Sequence, residues 1–298
     1  MRAESNVIER SRITPGLLLG SLGVLAFSFS LPATRVAVAG LDPWFVAFGR
    51  AVFAGALALA YLGFTGAPRP SRGQLRRLVV VALGVVVGFP LFTSLALATQ
   101  TASHGAVVIA LLPAATAVFA VLRAGERPSA LFWLASGGGM VAVVAFVAVS
   151  GGVGGGFEAA DLLLLASVLV CGMGYAEGGA LSRQLGGART ICWALVVALP
   201  VTVPITGASL AVGEFTGVNG PSVLAFGYLG LVSMFLGFFA WYAGLARGGV
   251  ARIGQVQLAQ PVLTLLWSAV LLGETAGPAA VGVAVIVLIC VALTQRAR

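Results

Sequence analysis

The sequence predicts an all-α membrane protein of ten transmembrane helices, arranged as two inverted five-helix repeats. Three observations lead there. Apolar runs of about 20 residues, each long enough to cross a ~30 Å hydrocarbon core, recur along nearly the whole chain. Arginines collect in alternate gaps between those runs. The second half repeats landmarks of the first at a constant offset.

Composition supports the first observation. Of 298 residues, 59% are hydrophobic and 9% charged, and the mean hydropathy is +1.06. A soluble domain carries roughly a quarter charged residues, so this chain cannot cover a water-facing surface. The spans, in order, are 15–38, 43–65, 77–98, 104–122, 129–149, 160–182, 190–212, 222–245, 250–271 and 277–294. The first is too long for a secretory signal and is followed at once by another apolar run, so it is a span. Each run is a helix, because lipid offers no partner for an unpaired backbone group.

The formal charge is +8, and all 17 cations are arginine. Such a balance suits nucleic acid, but the placement argues against it. Arg2, Arg10 and Arg12 precede span 1; Arg69, Arg72, Arg76 and Arg77 fall between spans 2 and 3. Arg123 and Arg127 follow span 4, Arg183 and Arg189 follow span 6, Arg247 and Arg252 lie between spans 8 and 9, and Arg296 and Arg298 end the chain. With ten spans all of these lie on one side, which the positive-inside rule makes cytoplasmic, together with both termini. The exceptions are Arg35, at the far end of span 1, and Arg50, inside span 2. Cys171, Cys192 and Cys290 lie within apolar runs, with no metal spacing and no disulfide framework.

A shift of 148 residues brings Pro113 onto Pro261, Gly125-Glu126 onto Gly273-Glu274, Arg35 onto Arg183, and the aromatic Phe27 onto the aromatic Tyr175. Four identities and an aromatic match at one shift, with the spans also in register, mean duplication. Residues 1–150 form the first repeat, the Gly-rich stretch 151–156 a linker, and 157–298 the second repeat, in one integrated membrane domain. Five spans per half make the second half enter the bilayer from the opposite side. Inverted repeats of this kind recur in secondary transporters, which bind substrate between the halves near the midplane.

The stretches 84–140 and 228–286 resemble two EamA-type domains of the drug/metabolite transporter superfamily. Leu-Leu-Pro113 with Gly125-Glu126, and Ala-Gln-Pro261 with Gly273-Glu274, carry the resemblance, and Leu41 to Gly55, with Arg50 inside it, is similar to that family's second span. The resemblance implies a ten-helix carrier with a central cavity and no ATPase, closest to the bacterial amino-acid exporters. Where that family often has a Trp in the first helix of each half, Phe27 and Tyr175 stand here.

Several residues are candidates for the site. Pro113 and Pro261 interrupt spans 4 and 9 at related positions; a mid-helix Pro removes a backbone hydrogen bond and frees a carbonyl, and paired interruptions point to a binding site. Gln257, Gln260, Thr264 and Ser268 share one face of span 9, suited to substrate or to another helix. The repeat mates of the two glutamines are Ile109 and Leu112, so the polar face belongs to the second half alone. Arg50 sits about 10 Å below the outer boundary, either as a fork for a carboxylate or as a structural anchor. Glu177, in the cytoplasmic third of span 6, is a candidate for proton coupling, for a substrate amine, or for pairing with Arg183. His104 is expected as a hydrated residue at the outer end of span 4. For Glu126 and Glu274, at span ends, the family resemblance implies a structural role, capping the next helix. Tyr175, Trp241 and Tyr242, with Phe89, Phe92, Phe238 and Trp267, are aromatics of which a minority is expected to touch substrate.

These features favour a secondary transporter of small metabolites, most of all an amino-acid exporter, in the cell inner membrane. No cofactor, metal or nucleic acid is expected, and the partners are a small-molecule substrate and the lipid bilayer. An intramembrane enzyme lacks its motif here: there is a single His, with no rhomboid-like Gly-x-Ser-Gly and no pair of intramembrane aspartates. A receptor without turnover leaves the duplicated, kinked core unexplained.

Overall fold

A computed structural model describes residues 2–124 and 158–274, with parts of 129–142 and 277–293; of residues 2–14 only the backbone is described. The protein is an all-α membrane protein, with no strand among the described residues. Among the described residues, eight helices are long and apolar enough to cross a bilayer: span 1, Pro15–Val38; span 2, Pro43–Phe64; span 3, Arg72–Thr99; span 4, Ala102–Arg123; span 6, Ala159–Leu185; span 7, Gly187–Val212; span 8, Gly220–Gly248; and span 9, Val250–Leu272. Spans 5 and 10 of the predicted ten fall on the partly described stretches. The linker 151–156 and Glu126 lie outside the described residues.

The helices begin and end closer to the arginines than expected. Span 3 starts at Arg72 rather than 77, because Ser71 and Gln74 form a capping box in which each side chain takes the other's backbone N–H. Arg72, Arg76 and Arg77 therefore stand on the first turns of a helix and not in a loop. Spans 6 and 7 are joined by Gly186 alone, at φ +84°, and spans 8 and 9 by Gly249 alone, at φ +87°. That conformation is open to glycine and strained for any residue with a Cβ, so these two residues make the one-residue reversals possible.

The most extensive packing among the described helices runs across the halves. Span 1 lies against span 8, span 3 against span 6, span 2 against span 7, and span 4 against both span 6 and span 9. Span 1 meets span 8 through small residues. A Cβ on Gly16 would come within 3.0 Å of the Gly248 backbone, and one on Gly244 within 2.7 Å of Gly20 N. Close backbone approach of this kind is how membrane helices gain dispersion contact without a hydrophobic driving force.

The repeat is visible in the irregularities of the helices. Span 3 is π-helical over Ala82–Gly88 and span 8 over Leu229–Leu236; a shift of 148 carries the first onto 230–236. Span 4 breaks at 110–111, between Ala102–Ile109 and Leu112–Ala124. Span 9 tightens to a 3-10 turn over Gln255–Leu258, and the same shift carries the break onto 258–259, at the end of that turn. Each interruption lies in the turn before the matching proline, Pro113 or Pro261, where the missing N–H and the ring clash act.

Span 1 carries a third interruption, at Phe29, between α-helical Arg2–Ser28 and Ser30–Val38. Its cause is Pro32, which cannot donate to the Ser28 carbonyl four residues back. The repeat mate of Pro32 is Ala180, and span 6 runs unbroken from Ala159 to Leu185. The two halves thus differ at this helix.

Candidate functional site

Three interrupted helices converge on one cavity. It is closed, with no room for a water molecule in this conformation, and is lined by Leu31 of span 1, Ala106 and Ile109 of span 4, and Gln257, Gln260, Pro261 and Thr264 of span 9. Both halves contribute. Ile109 and its repeat mate Gln257 line the same cavity, which places it at the junction the duplication creates.

The broken turns supply this site with its polar groups. The Ser28 carbonyl freed by Pro32 accepts the Thr264 hydroxyl at 2.7 Å, and the Ser28 hydroxyl accepts Trp267 Nε1–H at 3.0 Å. Tyr228 donates to the Ala26 carbonyl at 2.6 Å, and Ser30 Oγ lies 2.7 Å from Ser233 Oγ on the π-helical turn of span 8. The hinge of span 1 is therefore stitched to spans 8 and 9 by four side chains. Buried backbone groups require such partners.

The glutamines are different. Gln257 is 2% exposed and Gln260 5%. Gln257 Nε2 and Oε1, and Gln260 Oε1, are buried with no hydrogen-bond partner. Tyr175 stands beside Gln257 and Cys171, yet neither amide atom of Gln257 reaches hydrogen-bond geometry. Buried polar groups in native proteins are almost always paired, so three bare amide atoms on two residues lining one pocket are exceptional.

The other sequence candidates lie around this cavity rather than in its lining. Tyr175, Trp241 and Tyr242 are buried in an aromatic cluster with Phe27 and Phe238, at centroid separations of 4.9 to 6.3 Å. Tyr242 donates to the Gly174 carbonyl at 3.2 Å. Pro113 is buried one turn beyond the lining residue Ile109. Arg50 is buried in span 2, with Nε and Nη2 unpartnered. Ser268, the last residue of the polar face of span 9, is fully buried with its hydroxyl unpartnered.

At the arginine-rich end, Glu177 is tied by both oxygens. Arg77 of span 3 takes Oε1, and Arg123 of span 4 takes Oε2 at 3.4 Å. The expected partner Arg183 lies on the same helix; the arginines that take the carboxylate come from the first half, which packs directly on this face of span 6. At the opposite end, His104 is no hydrated loop residue: its Nε2 lies 2.6 Å from Asp161 Oδ1. Asp161 Oδ2 accepts the Glu158 N–H at 3.1 Å, and Glu158 accepts from Gln100 at 2.7 Å. Glu274 caps a helix, but not the next one. Its carboxylate accepts Ala102 N at 3.1 Å, Ser103 N at 2.9 Å and the Ser103 hydroxyl at 2.7 Å, closing the start of span 4 in the other half. An anion at a helix N-terminus also meets the favourable end of the dipole. Arg35 does the converse, donating to the Leu97 and Ala98 carbonyls at the end of span 3.

Sequence reasoning missed the contribution of span 1. The available signal was Ser28-Phe-Ser30-Leu-Pro32, a proline preceded by small polar residues inside an apolar run. It also missed Ala106, whose type carries no signal at all.

Comparison with known proteins agrees with this architecture. The EamA-like transporter family profile matches residues 14–148 and again 158–296. A Bacillus subtilis (strain 168) protein named "Uncharacterized transporter YdeK" is 46% identical over 286 residues, covering 96% of this chain and 99% of that protein. A Streptantibioticus cattleyicolor protein named "Probable terminal-alkyne amino-acid exporter" is 25% identical over 276 residues, covering 90% and 91%. One solved crystal structure superposes with a TM-score of 0.68 at 21% identity, over 95% of this chain and 97% of that one, a likeness of fold. With both halves matched and a relative alike from end to end, the chain belongs to the EamA-like transporter family.

Proposed function

We propose that this transporter exports amino acids or similar small metabolites by alternating access around the cavity between its two halves. The observation that carries the reading is the cavity itself: three interrupted helices from both repeats enclose buried amides with nothing to bind. Inverted-repeat carriers place substrate at such a junction and rock one half against the other. The relative named as an amino-acid exporter supports the substrate class. In this reading Gln257, Gln260 and Pro261 touch substrate, Thr264 holds the hinge of span 1, and the aromatic cluster shapes the cavity wall. The chain lies in the cell inner membrane with both termini in the cytoplasm, as the arginine distribution favours.

Arg50 is the candidate anchor for a substrate carboxylate, since a guanidinium fork matches it and two of its nitrogens lack partners. Glu177 is the candidate for coupling, although a proton there must displace two arginines. The test is flux of a panel of labelled amino acids into proteoliposomes holding the purified protein, against empty liposomes. Saturable, mutually competing flux supports the reading. No flux for any of them, from protein shown to be folded and inserted, removes amino acids as the substrate class.

A further inference from the structure

The cavity carries a chemical preference finer than the class of substrate, and the inference rests on the cavity being the substrate site. Its lining is Leu31, Ala106, Ile109 and Pro261 on the apolar side, with Gln257, Gln260 and Thr264 on the polar side. Among the described residues no ionisable side chain lines it. The Thr264 hydroxyl is already spent on the Ser28 carbonyl. What remains is one amide N–H2 and one amide oxygen from Gln257, and one further oxygen from Gln260, each buried and unpartnered. A glutamine amide offers two donors on nitrogen and two lone pairs on oxygen. The wall therefore presents donors and acceptors side by side, with no net charge.

Such a wall discriminates. A carboxylate accepts only, so it gives the Gln257 and Gln260 amide oxygens no donor, and it buries a charge with no counter-charge among the described lining residues. An ammonium donates only and leaves the Gln257 donor unmet. An apolar group leaves all three amide atoms unmet, and sites built to hydrogen-bond a group reject the analogue that lacks it strongly. A primary carboxamide meets both demands: its oxygen accepts from Gln257 Nε2, and its nitrogen donates to an amide oxygen of Gln257 or Gln260. The pocket has no room for a water molecule in this conformation, so a carboxamide enters it only when the two halves part.

We propose that the Gln257–Gln260 wall is a recognition site for an uncharged primary carboxamide, and that it excludes the carboxylate of the same shape. The proposal distinguishes solutes within the amino-acid class and also reaches solutes outside it that carry the same group.

The experiment uses three matched pairs on the purified full-length protein: L-glutamine against L-glutamate, L-asparagine against L-aspartate, and nicotinamide against nicotinate. Binding is read as the shift in thermal unfolding, before any flux is measured. At least one carboxamide is expected to bind more than tenfold tighter than its carboxylate, and Gln257→Leu and Gln260→Leu are each expected to reduce that ratio at least fivefold. Gln260→Glu, which keeps size but adds charge, provides a second variant should the leucine forms fold poorly; it is expected to lower carboxamide affinity. Equal shifts within every pair, no shift for any carboxamide, or a ratio unchanged by all three variants overturns the proposal, and a cavity that takes water alone gives the second of these results. Flux then separates the two readings: carboxamide binding that depends on the glutamines, without flux of any bound solute, sustains the recognition site and sinks the transport path.

Discussion

The Thr264 hydroxyl donates at 2.7 Å to the Ser28 carbonyl, the one acceptor in span 1 that Pro32 leaves free. A residue of the second half thus repairs a helix of the first at the point where that helix bends. Thr264→Val removes the donor and keeps the shape. It should lower stability by about 1 kcal/mol, the usual scale of an interhelical hydrogen bond in a membrane, while Thr264→Ser should stay close to the parent. Thermal unfolding in detergent checks both, and a valine variant as stable as the parent would remove the hinge from the account.

Glu177 accepts from arginines of two different spans, so Glu177→Gln should strand both cations at once. The carboxylate is buried, but the arginine side chains are 31% and 48% exposed. The expected loss, about 1–3 kcal/mol, therefore falls between the exposed and the buried limits for an ion pair. Adding Arg77→Gln should recover part of it, as a double-mutant cycle reads directly. Were Glu177 also the coupling group, the same variant would abolish pH-driven flux and spare exchange; an unchanged pH response leaves it a clamp alone.

Glu274 closes three donors at the start of span 4. Glu274→Ala should cost about 1–2 kcal/mol, the scale of a lost N-cap with its dipole interaction. Hydrogen exchange at the first turn of span 4 should rise in step. Protection unchanged there would mean that water serves the helix end as well as the carboxylate does.

Gly186 and Gly249 reverse the chain in one residue at positive φ. Gly186→Ala should destabilise by about 1–3 kcal/mol from backbone strain alone, since its Cβ meets nothing within 4 Å. An alanine variant with the parent's unfolding temperature would contradict the one-residue turn.

Arg50 separates structure from substrate. A buried cation with two of its three nitrogens unpartnered adds little to stability, so Arg50→Met should unfold no earlier than the parent. If Arg50 holds a substrate carboxylate, the variant loses flux of amino acids at least tenfold; a variant that unfolds early with normal flux makes Arg50 an anchor for backbone carbonyls.

Much of this was legible before any coordinates. Hydropathy placed the eight fully described spans, with starts displaced by up to about five residues where Ser71 and Gln74 extend span 3, because a capping box draws on polar residues that hydropathy scores as loop. The polar face of span 9 was legible because 3.6-residue periodicity puts Gln257, Gln260 and Thr264 together. The partners of Glu177 were not: Arg77 lies 100 residues away, and only the packing of span 3 on span 6 brings them together. Nor were the π-helical turns, whose residues are ordinary in type and whose geometry comes from close helix packing. Gly84 shows the pressure, since a Cβ there would lie 2.4 Å from the Val170 carbonyl.

The central claim is that the cavity between the halves is the transport path, and blocking it chemically is the most direct test. Ala106 lines the cavity with a side chain that is a single methyl, so Ala106→Cys, in a background where Cys171, Cys192 and Cys290 are replaced, places a thiol in the path. Proteoliposome flux should fall at least tenfold on treatment with a small methanethiosulfonate reagent, and transported solute should protect against the loss. Full flux after modification proven by mass spectrometry would contradict the account.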